Sequence, residues 1–236
     1  MNMSSQGHRT AFALNIAILV LVVFSVGWML SGINAGVLST GRLEAFKYFT
    51  IDSNVLMGIC ALIAAIEHRK VLDGRMKELS KPCLVLQLVG ATGVTLTMLI
   101  TVFFLAPTAA ATYGILPLFA YSNFFLHLVN PILSIVTFVH FEKTRRIRAV
   151  HTLTGIAPML IYAVFYVSIT LLHTVNGVIE PGYDWYGFFF AGIRSVVVVV
   201  PVIVLIAYAI SHVLWRLNRR KARESTDSHA LHLRED

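Results

Sequence analysis

Long apolar runs broken by short clusters of charge form the dominant pattern of the chain. Arg9 is followed by no Asp, Glu, Lys or Arg until Arg42, and Lys81 by none until Glu142. A membrane-spanning helix needs about 20 mainly apolar residues, so the second gap has room for two. The pattern predicts six spans, at roughly 11–32, 43–66, 82–106, 117–140, 151–173 and 187–215. The expected fold is all-α, a polytopic six-transmembrane-helix bundle. It forms a single membrane domain over about residues 1–220, with a short, polar, mobile cytoplasmic tail over about 221–236. The segments between the spans are too short to hold a second domain.

Composition agrees with this pattern. Of the 236 residues, 57% are apolar and 13% charged, against about a quarter charged in a soluble domain. That balance excludes an ordinary soluble domain and a disordered chain alike. An even number of spans brings both ends to one side, and all but three of the 19 Lys and Arg then fall on that side. The exceptions are Arg42, Lys47 and Arg194. Cytoplasmic loops collect Lys and Arg, so both termini are expected in the cytoplasm and the protein in the plasma (cytoplasmic) membrane. The net charge of +7 then reflects topology and contact with membrane lipids. No soluble domain carries a basic stripe, so nucleic acid is not an expected partner. The first apolar run is longer than a cleavable signal core and is read as a retained anchor. Cys60 and Cys83 lie toward the cytoplasmic ends of spans two and three. They are expected to pack as small apolar residues, with no disulfide, no metal site and no cofactor. His229 and His232 in the tail are read as solvated.

Polar groups inside a span are costly unless partnered, and each is a candidate for function. Three groups interrupt the apolar runs. Span two carries Lys47-Tyr48-Phe49-Thr50-Ile51-Asp52-Ser53-Asn54, span four carries Asn123, His127 and Asn130-Pro131, and span six carries Arg194. Asn123, His127 and Asn130 recur at i, i+4 and i+7 on one helical stripe, and Thr50 and Asn54 at i and i+4. Counted at about 1.5 Å per residue from the cytoplasmic ends, Thr50 and His127 come level in the outer half of the bilayer. Asp52 and Arg194 fall at a similar outer depth, where an ion pair would lower the cost of both.

Each of these residues also has a purely structural reading. A membrane Thr often bonds its own backbone carbonyl one turn back, and His127 can serve as an interhelical hydrogen-bonding residue. Asn123 and Asn130 can join helices, and Pro131 frees a backbone carbonyl. Arg194 can pair with Asp52 or receive an anionic group. His140, His151 and His212 fall at cytoplasmic span ends and His173 at an outer end, so only His127 is expected well inside a span. Paired histidines at two depths, as a dihaem protein requires, are not expected. Tyr183, Trp185 and Tyr186 are read as an interfacial aromatic belt.

Gly41-Arg42 followed by Lys47-Tyr48-Phe49-Thr50, with Asn123-x-x-x-His127 and Pro131 further on, resembles the androgen-induced-gene (FAR-17a/AIG-type) family of multi-span membrane hydrolases. The segment Tyr48-Phe49-Thr50-Ile51-Asp52-Ser53-Asn54 is similar to bacterial Pr6Pr-type membrane proteins, and Gly192-Ile193-Arg194 has a counterpart in the family. The resemblance follows order and topology over most of the chain, through short motifs. It implies hydrolysis of fatty acid esters of hydroxy fatty acids, with Thr50 as nucleophile and His127 as its base. The outer loop Asp184-Trp185-Tyr186-Gly187 departs from the Tyr-Pro-rich stretch the family leads one to expect. As the expected roof of the pocket, it bears on acyl specificity.

The chemistry is reasonable for these residue types. A Thr hydroxyl needs a base within hydrogen-bond reach, and a neutral imidazole supplies one. Asn54 or Asn123 amides are candidate donors to a developing oxyanion. A lipid substrate would enter sideways from the bilayer, its carboxylate toward Arg194. The alternative expectation is a lipid- or proton-coupled carrier in which His127 and Asp52 handle a proton.

Overall fold

The computed structural model describes residues 4–32, 42–112, 114–142 and 144–235, with side chains for all but 112 and 225–235. Gly41, Lys143 and the side chains of His229, His232 and Arg234 lie outside the described residues. Six helices are long and apolar enough to cross a membrane: α1 (Ser5–Ser31), α2 (Phe49–Leu72), α3 (Lys81–Ala111), α4 (Ser122–Phe141), α5 (Ala149–Leu172) and α6, which begins at Ile193. The chain is an all-α, multi-pass membrane protein.

Local signals set the helix ends. The Ser4 hydroxyl accepts the Gly7 amide at 3.1 Å, which starts α1 several residues earlier than hydropathy alone predicts. Gly32, at φ +73°, takes the left-handed conformation that closes the same helix. Ser80 caps α3 through the Cys83 amide, and the Glu67 carboxylate takes both the Ser80 amide (2.7 Å) and hydroxyl (2.6 Å). That fastens the end of α2 to the start of α3. Helix α6 starts later than expected because Asp184 holds residues 184–189 in a turn, its two oxygens accepting the Phe188 and Phe189 amides at 2.9 and 3.0 Å. At its other end α6 continues to Glu235, so the segment expected as a polar tail has a helical backbone. Between α5 and the 184–189 turn lies a hairpin, β1 (Thr174–Val175) and β2 (Val178–Ile179). Its Asn176-Gly177 corner has both φ angles positive, as a two-residue hairpin turn requires.

These helices are apolar on all sides, so hydrophobicity does not choose their inner faces. Small and polar residues do, because lipid competes equally for apolar ones. A Cβ built on Gly90 of α3 would lie 2.8 Å from Met57 Sδ and 3.3 Å from Met57 Cα, so α2 and α3 approach closely there and a larger residue would require Met57 to shift. At Gly155 of α5 the added carbon would meet Ser211 Oγ at 2.3 Å and Thr92 Oγ1 at 3.2 Å. Helices α3, α5 and α6 converge there, and α3 also packs on α2 and α4.

Polar contacts bind the bundle at the end where α2 and α4 finish. Asn218 of α6 donates to the Phe138 and Glu142 carbonyls at 2.6 and 3.0 Å and accepts the Thr144 amide at 2.9 Å. His8 of α1 and His68 of α2 are buried against each other at the same end. Hydropathy gives no sign of this burial, since it does not separate a helix end exposed to water from one covered by neighbouring helices.

Three stretches of the ladder are π-helical, at Thr101–Leu105, Phe125–Val129 and Thr137–Phe141. Each closes on a hydrogen bond five residues back, Ala106 to Thr101, Asn130 to Phe125 and Glu142 to Thr137. Such bulges recur at functional sites because they rotate the residues that follow. Two of the three carry the residues of the site below.

Candidate functional site

A cavity of about 350 Å³ opens among α2, α3, α5, α6 and the loop before α6. Most of its wall is aliphatic or aromatic, including Leu96, Ile100, Met159, Val199 and Ile203. The hydroxyl-bearing residues Thr50, Thr97, Thr101, Tyr162 and Tyr186 also line it. Size and lining suit an apolar ligand oriented by a few polar groups.

His127 enters through Thr101. Its Nδ1 lies 2.9 Å from the Thr101 Oγ1, and the side chains belong to the π-helical stretches of α4 and α3. The imidazole is buried. Among the described residues no hydrogen bond joins His127 to Thr50, so the expected nucleophile–base contact is not formed directly. The physical reason is angular. Level depth on two helices does not fix which way their side chains face, and the bulge at Thr101 turns its hydroxyl onto the imidazole. Nothing in the apolar run around Thr101 marks it as a partner, and only its i, i+4 spacing from Thr97 could have drawn notice.

The chamber hydroxyls differ in their commitments. Thr97 donates to the Val94 carbonyl at 2.8 Å. Tyr162 donates to the Lys47 carbonyl and accepts Trp185 Nε1 at 3.0 Å. Tyr186 accepts the Phe49 amide at 2.9 Å, and burial pushes its phenol well above the usual tyrosine range. Thr101 belongs to His127. The Thr50 hydroxyl has no hydrogen-bond partner among the described residues and does not bond its own backbone one turn back. Thr50 is also only half-buried, whereas Thr101 is 1% exposed.

The asparagines support this arrangement. Asn54 Nδ2 donates to the Thr50 carbonyl at 2.8 Å and to the Leu126 carbonyl at 3.2 Å, and its Oδ1 accepts Asn130 Nδ2 at 3.0 Å. In a π-helical turn the Leu126 carbonyl would pair with the amide of residue 131, but Pro131 has none. Asn54 replaces the missing donor and joins α2 to α4 beside His127. Asn123 Nδ2 lies 3.5 Å from the Pro117 carbonyl. Asn54 therefore spends both amide protons on backbone carbonyls, which corrects its expected role as an oxyanion donor.

Asp52 and Arg194 form no ion pair with each other. Asp52 borders a second cavity of about 430 Å³ between α2 and α5, walled by Phe46, Leu56, Pro158, Ile161 and Phe165. Arg194 is exposed in the first turn of α6, one turn before Val198, which lines the chamber.

Trp185 and Tyr186 are partly buried against α5 and form part of a roof rather than a lipid-facing belt. Tyr166 donates to Asp184, and Tyr166 and Trp185 meet edge to face with centroids 4.9 Å apart. Tyr186, Gly187, Phe188 and Phe190 then close one side of the chamber. Comparison with protein-family models, curated proteins and solved structures found no match to this chain.

Proposed function

We propose that the protein is an intramembrane hydrolase of lipid esters, with Thr50 as nucleophile and His127 as general base. The observation that carries this reading is the Thr101–His127 contact at the wall of an apolar chamber that also holds the uncommitted Thr50 hydroxyl. Thr101 orients the imidazole by accepting its Nδ1 proton, which leaves the lone pair on Nε2 as the base. Nε2 takes the Thr50 proton as Oγ1 attacks the ester carbonyl. The imidazolium returns that proton to the departing alkoxide, leaving an acyl-threonine. Water, deprotonated by the same imidazole, then cleaves the acyl-threonine and restores the hydroxyl.

Substrate chemistry follows from the walls. The aliphatic lining suits an acyl chain, and Arg194, exposed one turn before the chamber-lining Val198, suits a carboxylate. Fatty acid esters of hydroxy fatty acids combine the two. The charge pattern supports a plasma-membrane location with both termini in the cytoplasm. The carrier reading, with His127 and Asp52 sharing a proton, is weaker because Asp52 borders a different cavity.

The 2.9 Å contact favours one competing assignment, in which Thr101 donates to Nδ1 and is itself the nucleophile. Labelling of the purified protein with a hydroxyl-directed acylating or phosphonylating probe, with mass mapping of the adduct, separates the two. An adduct on Thr50 that is lost in His127→Ala supports the proposal, and an adduct on Thr101 transfers the role. No adduct, together with no turnover of a fatty acid ester of a hydroxy fatty acid, overturns the hydrolase reading.

A further inference from the structure

A second polar constellation lies far from the chamber, at the end of the bundle where α1 begins and α2 ends. Along α2 it is centred on His68, about 27 Å of helix rise from Thr50. His8 and Asn15 of α1, His68 of α2, Gln87 of α3 and Glu142 at the end of α4 are all buried, three of them with no exposed surface. His8 Nδ1 and His68 Nδ1 are 2.9 Å apart. His68 Nε2 lies 3.6 Å from Glu142 Oε1, and Asn15 Nδ2 donates to that same oxygen at 2.8 Å. Gln87 Nε2 donates to Asn15 Oδ1 at 3.0 Å. Among the described residues His68 Nε2, Glu142 Oε2 and Gln87 Oε1 have no hydrogen-bond partner. The hydrolase chemistry uses none of these groups.

We propose that His8, His68 and Glu142 form a buried proton-binding site, loaded through His8. Two Nδ1 atoms at hydrogen-bond distance need one proton between them. With that proton on His8, a neutral His68 carries its own on Nε2, facing the Glu142 carboxylate, and the three groups together bear one negative charge. A proton arriving at His8 Nε2 lets the Nδ1 proton pass to His68. His8 remains neutral, now protonated on Nε2. His68 becomes an imidazolium beside the Glu142 carboxylate, and the set becomes neutral overall. One proton enters, one shifts, and no other co-reactant is needed.

Burial favours the loaded state, because an uncompensated carboxylate without solvent is costly and a paired one less so. The helix dipoles act in the same direction. His68 is near the C-terminal end of α2, where a cation is stabilised, and Glu142 follows the C-terminal end of α4, where an unpaired anion is not. Among the described residues, the thiols of Cys60 on α2 and Cys83 on α3 lie within electrostatic reach of Glu142, with Glu67 beside Cys83 and engaged by Ser80, and the exposed Arg9 and Arg69 directly follow the two histidines in the chain. Helix α6 contributes the neutral amide of Asn218, which anchors the Glu142 backbone. The cluster also gives α1 polar ties to α2, α3 and α4, so proton loading acts on the contacts that hold α1 in the bundle.

The test is ¹⁵N spectroscopy of histidine-labelled full-length protein in lipid nanodiscs over about pH 5 to 8. His8 and His68 should change tautomer and charge together with one midpoint, assigned through His8→Asn and His68→Asn. Glu142→Gln, checked for fold by circular dichroism, should move that midpoint lower by about one pH unit or more, the usual effect of removing a neighbouring opposite charge. Independent titration of the two rings, no change over the range, or an unmoved midpoint in Glu142→Gln overturns the proposal. Should Glu142→Gln not fold, His8→Asn decides. A shifted His68 midpoint supports the relay and an unshifted one ends it.

Discussion

His127 Nδ1 and Thr101 Oγ1 face each other at 2.9 Å across two helices, each of which is π-helical at that point. The contact assigns one imidazole nitrogen and leaves the other for a second partner. Which tautomer is present decides whether Thr101 orients the base or gives up its own proton. Thr50, on the same chamber, has a hydroxyl without a competing bond among the described residues.

Substitutions at these two threonines should therefore diverge. Thr50→Ala should lower ester hydrolysis by about 100-fold or more, the scale of a lost nucleophile–base step, while Thr50→Ser keeps part of it. Thr101→Val should lower it by about 10- to 100-fold, the usual scale for removing a group that orients a functional imidazole. Thr101→Ser should be close to wild type. Complete loss in Thr101→Val with residual activity in Thr50→Ala, and the probe adduct on Thr101, would reverse the two roles.

The link between α2 and α4 through Asn54 predicts a specific rescue. Asn54→Leu leaves the Leu126 carbonyl without its donor and the Asn130 amide without its acceptor, at about 1–3 kcal/mol for each buried group left unpaired. Adding Pro131→Ala restores an amide that can take the Leu126 carbonyl within the helix. The double variant should regain part of the stability lost in Asn54→Leu, measured by thermal unfolding in detergent. Strictly additive losses in the two substitutions would disprove the exchange of donors.

At Gly155 the prediction concerns approach distance rather than polarity. An added methyl would meet Ser211 Oγ and Cβ at 2.3 and 2.7 Å, so Gly155→Ala must push α5 from α6 or force Ser211 to another rotamer. The expected cost is about 1–3 kcal/mol, read as a lowered Tm. Ser211→Gly in the same chain should recover most of it, since it removes the atoms in the way. A Tm unaffected by Gly155→Ala would show that the helices have room to spare.

How far these features can be read from the sequence depends on the residue. The six spans follow from hydropathy because nothing else explains such long uncharged runs. Their ends do not, since Ser4 and Asp184 act through single hydrogen bonds that no hydropathy average registers. The Asn123, His127 and Asn130 stripe is visible as a period, and Asn54 and Asn130 do meet. The Asp52–Arg194 pair fails because similar depth says nothing of direction around a helix axis. Asn15 and Gln87 stand in apolar runs and could have been singled out by the reasoning applied to span four. His8, His68 and Glu142 were hidden by lying near charged helix ends, where a polar residue ordinarily meets water.

The roof of the chamber yields a pH-dependent prediction. The Tyr186 phenol lies outside the spans and accepts the Phe49 amide at the start of α2, and burial raises its pKa well above the usual value. An unfolded chain releases a tyrosine proton near about pH 10, while the folded chain holds this one to higher pH. Above that point the unfolded state binds fewer protons, so stability falls as pH rises. This contribution is fully present below about pH 10 and fades through the interval up to the folded pKa. Tyr186→Phe removes the titration together with the hydrogen bond to Phe49. The variant should be less stable than wild type near neutrality by about 0.5–1.5 kcal/mol, yet lose stability less steeply at alkaline pH. Parallel Tm-against-pH curves for the two proteins would rule out Tyr186 as the group responsible.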